Sequence, residues 1–189
     1  MAWPDLFVIE HFLEPNVCDL IVAEMRAIGG SAATVYGRST SGAIDTNVRS
    51  TLRVVPSSET IELVTRRLMT CKTVVEKHFS VSLNECEDPQ FLRYREGDFF
   101  VAHQDGNTGL LQLDTELRKI STVIFLNAQS DVSGPDVYGG GSLVFSNVRA
   151  PSFQMAPEPG TLVAFRSETT HEVTPVTHGE RFSIASWYR

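Results

Sequence analysis

Residues 91–106 read FLRYREGDFFVAHQDG, and this stretch decides how the rest of the chain is read. Two short apolar runs, 90–94 and 99–104, are parted by Arg95, Glu96, Gly97 and Asp98. Runs of this length bounded by Gly and Asp predict strands joined by a turn. The pattern repeats to the C-terminus, with further runs at 120–127, 142–145, 161–165, 172–176 and 182–188. Short strands with frequent turns predict an antiparallel sandwich or barrel, not an alternation of strand and helix. The chain has neither a dinucleotide-binding glycine fingerprint nor a phosphate loop.

Ahead of this region the chain is helical in character. The apolar run 7–12 predicts a first strand. Leu13, Glu14 and Pro15 then open a helix, with the proline tolerated in its first turn. Val17, Leu20, Ile21, Met25 and Ile28 form its apolar stripe, and Gly29 with Gly30 ends it. Residues 31–47 are rich in Ser, Thr and Gly and predict a long loop of the kind that covers sites. Residues 48–54 alternate loosely and predict a strand, and Ser57 is the expected cap of a second helix running to about residue 79. The expected architecture is mainly β with N-terminal helices, in a single domain. A helical support region covers 1–89. A jelly-roll core, the double-stranded β-helix of cupin-like folds, covers 90–189. A plain β-sandwich binding module is the alternative.

Of the 189 residues, 42% are hydrophobic and 21% charged, a composition that builds a sizeable core and is not that of a disordered chain. The net charge of −7, with no basic run, argues against nucleic acid as a partner. It does not bar an anionic small molecule, which a single buried arginine can hold. The N-terminus has no secretory pattern, and no run of about 18 apolar residues predicts a membrane span. Cys18, Cys71 and Cys86 are odd in number and scattered, so free thiols in a reducing, cytoplasmic setting are expected rather than a sulfur metal site.

His103 and Asp105 stand two apart, the spacing that points both side chains to one face of a strand, with Gln104 turned away. His171 opens a later predicted strand, and a sandwich can bring the two strands together. Two imidazoles and one carboxylate form the facial set that holds non-haem Fe(II) and leaves positions open. The same donors suit Zn(II), so a zinc hydrolase stays open, with Glu168 or Glu172 as base, although no H-E-x-x-H occurs. His11, His78 and His178 read as ordinary residues. Ten residues beyond His171 comes Arg181, with Ser183 on the same face of the last predicted strand. A guanidinium fork binds a carboxylate through two bonds, and a serine hydroxyl adds another donor. An Asp or Glu partner for Arg181 is the structural alternative.

The stretches FLRYREGDFFVAHQDG, RKISTVIFLN, YGGGSLVFSN, PEPGTLVAFRS and THEVTPVTHGERFSIASWYR occur in an order that resembles the prolyl 4-hydroxylase-like branch of the Fe(II)/2-oxoglutarate-dependent dioxygenases. The resemblance covers roughly residues 90–189. It implies iron ligation by His103, Asp105 and His171, and it implies that Arg181 holds the distal carboxylate of 2-oxoglutarate. Many collagen-type members carry lysine at that position. The resemblance gives Ser183 and Tyr94 supporting contacts to the co-substrate, and Trp187 resembles the aromatic residue that closes the last strand. Related iron halogenases have a small residue in place of the carboxylate, so Asp105 implies hydroxylation.

The implied reaction converts 2-oxoglutarate to succinate and CO2 while hydroxylating an aliphatic C–H of an amino-acid, peptidyl or related small substrate. Ascorbate is a candidate reductant. A family-fold module without turnover is the non-enzyme alternative. Residues 31–47, 107–119 and 129–141 are the expected substrate loops, with Tyr36, Arg38, Leu111, Gln112 and Tyr138 as candidate contacts. Arg53, Arg93 and Arg95 are further polar candidates. No nucleic-acid or membrane partner is expected, and the sequence does not fix the oligomeric state.

Overall fold

The computed structural model describes residues 4–33, 45–106, 117–148 and 150–189. The expected substrate contacts Tyr36, Arg38, Leu111 and Gln112 lie outside the described residues. The elements run β1 (Leu6–Ile9), α1 (Pro15–Ala27), β2 (Ser31–Ala32), β3 (Arg49–Ser50), β4 (Leu52–Val54), α2 (Ser58–Phe79), β5 (Gln90–Tyr94), β6 (Phe99–His103), β7 (Ile120–Phe125) and β8 (Ala128–Gln129). They continue with β9 (Val137–Gly140), β10 (Leu143–Asn147), β11 (Ala150–Met155), β12 (Leu162–Arg166), β13 (His171–Val173), β14 (Val176–Gly179) and β15 (Arg181–Tyr188). Seven strands form a major sheet in the order β1-β12-β7-β15-β5-β4-β2, and five form a second sheet, β11-β10-β13-β6-β3. A small third sheet, β14-β9-β8, contains the one parallel pair among the described strands. The fold is therefore mainly β with two N-terminal helices, and no closed barrel forms among the described residues.

Both helices begin where the sequence places them. Pro15 sits in the first turn of α1. The Ser57 hydroxyl accepts the Thr60 N–H at the start of α2, and the Glu24 carboxylate from α1 accepts both the Ser57 N–H (2.6 Å) and the Thr60 hydroxyl (2.7 Å). The cap of one helix is thus tied to the flank of the other. Their apolar stripes, Cys18, Ile21, Val22 and Met25 with Val64, Leu68, Val75 and Phe79, join one face of the major sheet.

Alternation along β15 separates the two sides of that sheet. Phe182, Ile184 and Tyr188 join the helix-side core. Arg181 and Ser183 take the other face by the period-two rule, with Trp187 in the same phase. On that inner side Phe125, Val163 and Phe165 of the major sheet pack with Leu143 and Phe145 of the second. Leu92 and Tyr94 likewise pack with Val173, Val176 and Phe100. The inter-sheet space is the only described interior that carries charged and polar site residues.

Several sequence expectations change in detail. Residues 48–54 are not one strand. The chain breaks at Thr51, whose hydroxyl donates to the Arg93 carbonyl (3.0 Å), and β3 and β4 then belong to different sheets. The first strand stops at Ile9, because His11 adopts a left-handed φ of 53° that no strand tolerates. The expected strand 172–176 is two strands, β13 and β14, in two sheets. Strands also occur within the expected loops, at β2, β8 and β9.

Candidate active site

β6 and β13 are hydrogen-bonded neighbours, and their register sets His103 directly opposite His171. The ladder then slips, because Val173 pairs with Phe100. Val101 and Ala102 together oppose Glu172, which is a β-bulge. On a regular strand Phe100 and His103, three apart, would point to opposite faces. The extra residue turns both to the same face, and their rings stack with centroids 3.6 Å apart.

Asp105 is not on β6, which ends at His103. Its placement comes from a different contact than strand alternation. The Asp105 and Gly106 N–H groups both donate to the Ser167 carbonyl, at 2.9 and 3.2 Å. This fastens the segment after β6 to the loop that leads into β13. Gln104 turns away, and its amide donates to the Glu168 carbonyl (2.6 Å).

The three side chains converge. Their ligand atoms lie within 4.8 Å of one another. Asp105 Oδ1 is 3.4 Å from His103 Nε2, and Oδ2 is 3.5 Å from His171 Nε2. Each imidazole is held from behind. His103 Nδ1 donates to the Val101 carbonyl (2.8 Å) and His171 Nδ1 to the Thr169 carbonyl (2.9 Å). A carbonyl only accepts, so Nδ1 carries a proton in both rings, and Nε2 is left as the atom that faces Asp105 and would meet a metal. Fixing the outer nitrogen in this way is how proteins aim histidine at a metal.

The electrostatics fit the same use. Burial pushes His171 down to about 4, helped by the neighbouring His103 and opposed by Asp105 and the Thr169 carbonyl, so the ring is neutral at pH 7. Burial alone would raise Asp105. The two imidazoles and the nearby Trp187 indole reverse this and hold the carboxyl well below the usual carboxylate range. Neutral imidazoles and an ionised carboxylate are the ligand states a divalent ion requires. Phe165 packs edge-on to His171 (4.7 Å between centroids), and with Phe100 it walls the cluster in aromatic carbon. Two nitrogens and one oxygen, with no thiol among the group, suit Fe(II).

Arg181 is 1% exposed. Its guanidinium carbon lies 5.1 Å from the Tyr94 ring centre and 5.2 Å from that of Phe125. Nη1 donates to the Ser183 hydroxyl at 2.7 Å. Nε and Nη2 are buried without a hydrogen-bond partner, and among the described residues no Asp or Glu forms an ion pair with it. A buried cation in this state is costly unless an anion joins it. These orphaned donors fit the distal carboxylate of a dicarboxylic acid.

Of the remaining candidates, Tyr138 is fully buried beside Arg181. Arg93 is paired with Glu180, while Arg53 and Arg95 are exposed. Glu172 sits between His171 and Val173 on β13, so alternation turns it from the cluster, where a zinc hydrolase would need it. His178 lies on β14, and its two ring nitrogens are buried without partners. The cysteines are free thiols, with burial pushing Cys18 and Cys86 up to about 11 and Cys71 in the same direction. Sequence reasoning missed the aromatic wall and the support behind Trp187. Arg118 stacks on that indole at 3.8 Å while forked to Glu87 at 2.7 and 2.6 Å. Periodicity marks Phe100, Phe145 and Phe165 only as core.

The family model for the 2OG-Fe(II) oxygenase superfamily matches residues 89–189. A PKHD-type hydroxylase from Paracoccus denitrificans is 33% identical over 191 residues, spanning 96% of this chain and 77% of its own length. A PKHD-type hydroxylase from Burkholderia ambifaria is 29% identical over 181 residues, with 95% and 76% covered. Among solved structures, a Pseudomonas putida prolyl-4-hydroxylase superposes with a TM-score of 0.70 at 23% identity, covering all of this chain and 94% of that one. A Trichoplax adhaerens prolyl hydroxylase, solved with a peptide fragment, gives 0.70 at 16% identity over 98% and 84%. The metal-suited cluster, the unpaired arginine and these matches converge: the chain belongs to the 2OG-Fe(II) oxygenase superfamily and is related to its prolyl-hydroxylase-like members.

Proposed function

We propose that this chain is an Fe(II)- and 2-oxoglutarate-dependent hydroxylase acting on an aliphatic C–H of an amino-acid, peptidyl or related small substrate. The observation that carries the reading is Arg181, a buried guanidinium with two unpaired nitrogens in the same inter-sheet interior as the His103, Asp105 and His171 cluster. In this reading the two major sheets are the walls of a double-stranded β-helix, and the front half of the chain supports it.

His103 and His171 would hold the metal through Nε2, and Asp105 through its carboxylate. Bound iron with 2-oxoglutarate supplies the oxidising chemistry, which ends in succinate and CO2. The chain's own residues position and protect. Arg181 and Ser183 orient the far carboxylate, and Tyr94 and Phe125 line the arginine. Phe100 and Phe165 keep water from the histidines. His171 and His103, with a smaller part from the Trp187 indole that Arg118 braces, keep Asp105 ionised. The PKHD-type hydroxylases and prolyl hydroxylases among the relatives make a peptidyl or amino-acid target the first class to test, while ascorbate dependence is tested by omitting it.

Anaerobic addition of Fe(II) and then 2-oxoglutarate should produce a visible metal-to-ligand charge-transfer band. Admitting air with the correct substrate should then release succinate in proportion to product. A screen of amino acids and peptides for that release identifies the substrate. Iron binding without the band on adding 2-oxoglutarate would overturn the reading.

A further inference from the structure

Tyr138 lies on β9 of the small third sheet and has no exposed surface. Its backbone is fixed on both sides. The Ser130 N–H donates to its carbonyl (2.8 Å), and its register partners are Gln129 on β8 and Gly179 on β14. The side chain meets Arg181 across Gly141. A Cβ at Gly141 would lie 3.2 Å from Tyr138 Cε2 and 3.0 Å from Arg181 Cδ, so the two side chains close over a position that only glycine leaves open.

The Tyr138 hydroxyl is buried beside Arg181, and its O–H proton has no acceptor among the described residues. Buried tyrosine hydroxyls nearly always find one. Arg181 Nε and Nη2, beside it, are in the same condition. The phenol oxygen can accept one guanidinium N–H, which leaves the tyrosine O–H and an arginine N–H as buried donors side by side. A carboxylate is the complementary group, because it only accepts and offers about four lone-pair sites. Tyr94, to which the sequence resemblance gives a contact with the co-substrate, lies with its ring centre 5.1 Å from the Arg181 guanidinium carbon.

We propose that Tyr138 is the second anchor of the co-substrate, its hydroxyl donating to the same distal carboxylate that Arg181 grips. This inference rests on the Fe(II)/2-oxoglutarate reading and assigns one of its contacts. It also makes Tyr138 a selectivity residue, because a 2-oxo acid without a second carboxylate gains nothing from its hydroxyl.

The test is an anaerobic titration of Fe(II)-loaded parent and Tyr138→Phe protein, following the charge-transfer band. The ligands are 2-oxoglutarate and 2-oxopentanoate, which keeps the chelating end and lacks the far carboxylate. The variant should bind 2-oxoglutarate about tenfold or more weakly, the loss expected for a buried hydroxyl-to-carboxylate bond. Its affinity for 2-oxopentanoate and for Fe(II) should match the parent. Equal weakening toward both acids, less than a threefold change toward 2-oxoglutarate, or loss of iron binding would each overturn the assignment and make Tyr138 a packing residue. A parent that binds iron but develops no band with 2-oxoglutarate overturns the functional reading itself, and this inference with it.

Discussion

Arg181→Met separates two effects that the parent combines. Without ligand, two buried guanidinium nitrogens lack partners, at a cost of about 1–3 kcal/mol each. Against that stand the Ser183 bond, about 1.5 kcal/mol, and two ring contacts at about 1 kcal/mol each. Methionine fills much of the same volume with no polar atom to strand. The balance runs from about −1.5 to +2.5 kcal/mol in the variant's favour, so its ligand-free Tm should fall between about 5 °C below and about 10 °C above the parent's at this chain length. Fe(II) with 2-oxoglutarate at about a hundred times its Kd should stabilise the parent by about 2.7 kcal/mol, or roughly 5–10 °C. Loss of the charged fork weakens binding by about 3 kcal/mol, near 150-fold, so the same ligand concentration should give the variant only about 0.3 kcal/mol, or roughly 1 °C. Anaerobic scanning calorimetry of the two proteins with and without ligand reads all four values. A variant that melts more than 5 °C below the parent without ligand, yet keeps the full ligand shift, would show that Arg181 is structural.

His171→Ala should abolish iron binding and turnover, since the nitrogen lost is aimed by the Thr169 carbonyl and nothing beside it can substitute. Calorimetric Fe(II) titration that gives parent affinity refutes this. In metal-free protein His171 is neutral and buried at about 4, below its ordinary 6.5, so its contribution to stability is complete above pH 6.5 and is lost as pH falls toward 4. Asp105, also depressed, adds loss in the same direction at lower pH. Urea midpoints measured from pH 7 to 4 should fall in the parent and fall less in His171→Phe. Gly141→Ala places a Cβ at φ 58° against Arg181, Val176 and Tyr138, and should lower stability by about 1–2 kcal/mol while weakening 2-oxoglutarate binding. An alanine variant with unchanged melting and unchanged titration would contradict that packing.

The elements legible in the sequence were those whose signal is local. Ser57 announces α2 because a cap is a single side chain reaching its own chain, and β5 and β15 alternate because each has one face on the helices. The metal cluster was legible for a different reason. Few residue types ligate metals, and His103, Asp105 and His171 lie at the edges of predicted strands. What stayed hidden depends on distant contacts. Nothing near Asp105 shows that Ser167 holds it, and nothing near Thr51 shows that the chain changes sheets there. Tyr138 stands in a Gly-rich stretch that reads as loop, and only the pairing of β9 with β8 and β14 buries it beside Arg181.

The slip in β6 has a consequence for how this strand tolerates change in length. With two residues opposite Glu172, the strand's inward and outward phases are out of step before and after Ala102. Deleting one of Val101 or Ala102 would restore an even ladder at little cost in hydrogen bonds. It would also force a choice, because Phe100 and His103 cannot both face the interior of a regular strand. A strand of this kind therefore accepts substitutions of Val101 and Ala102 far more readily than a single-codon deletion, which would leave the sheet intact and the candidate metal cluster without its first histidine.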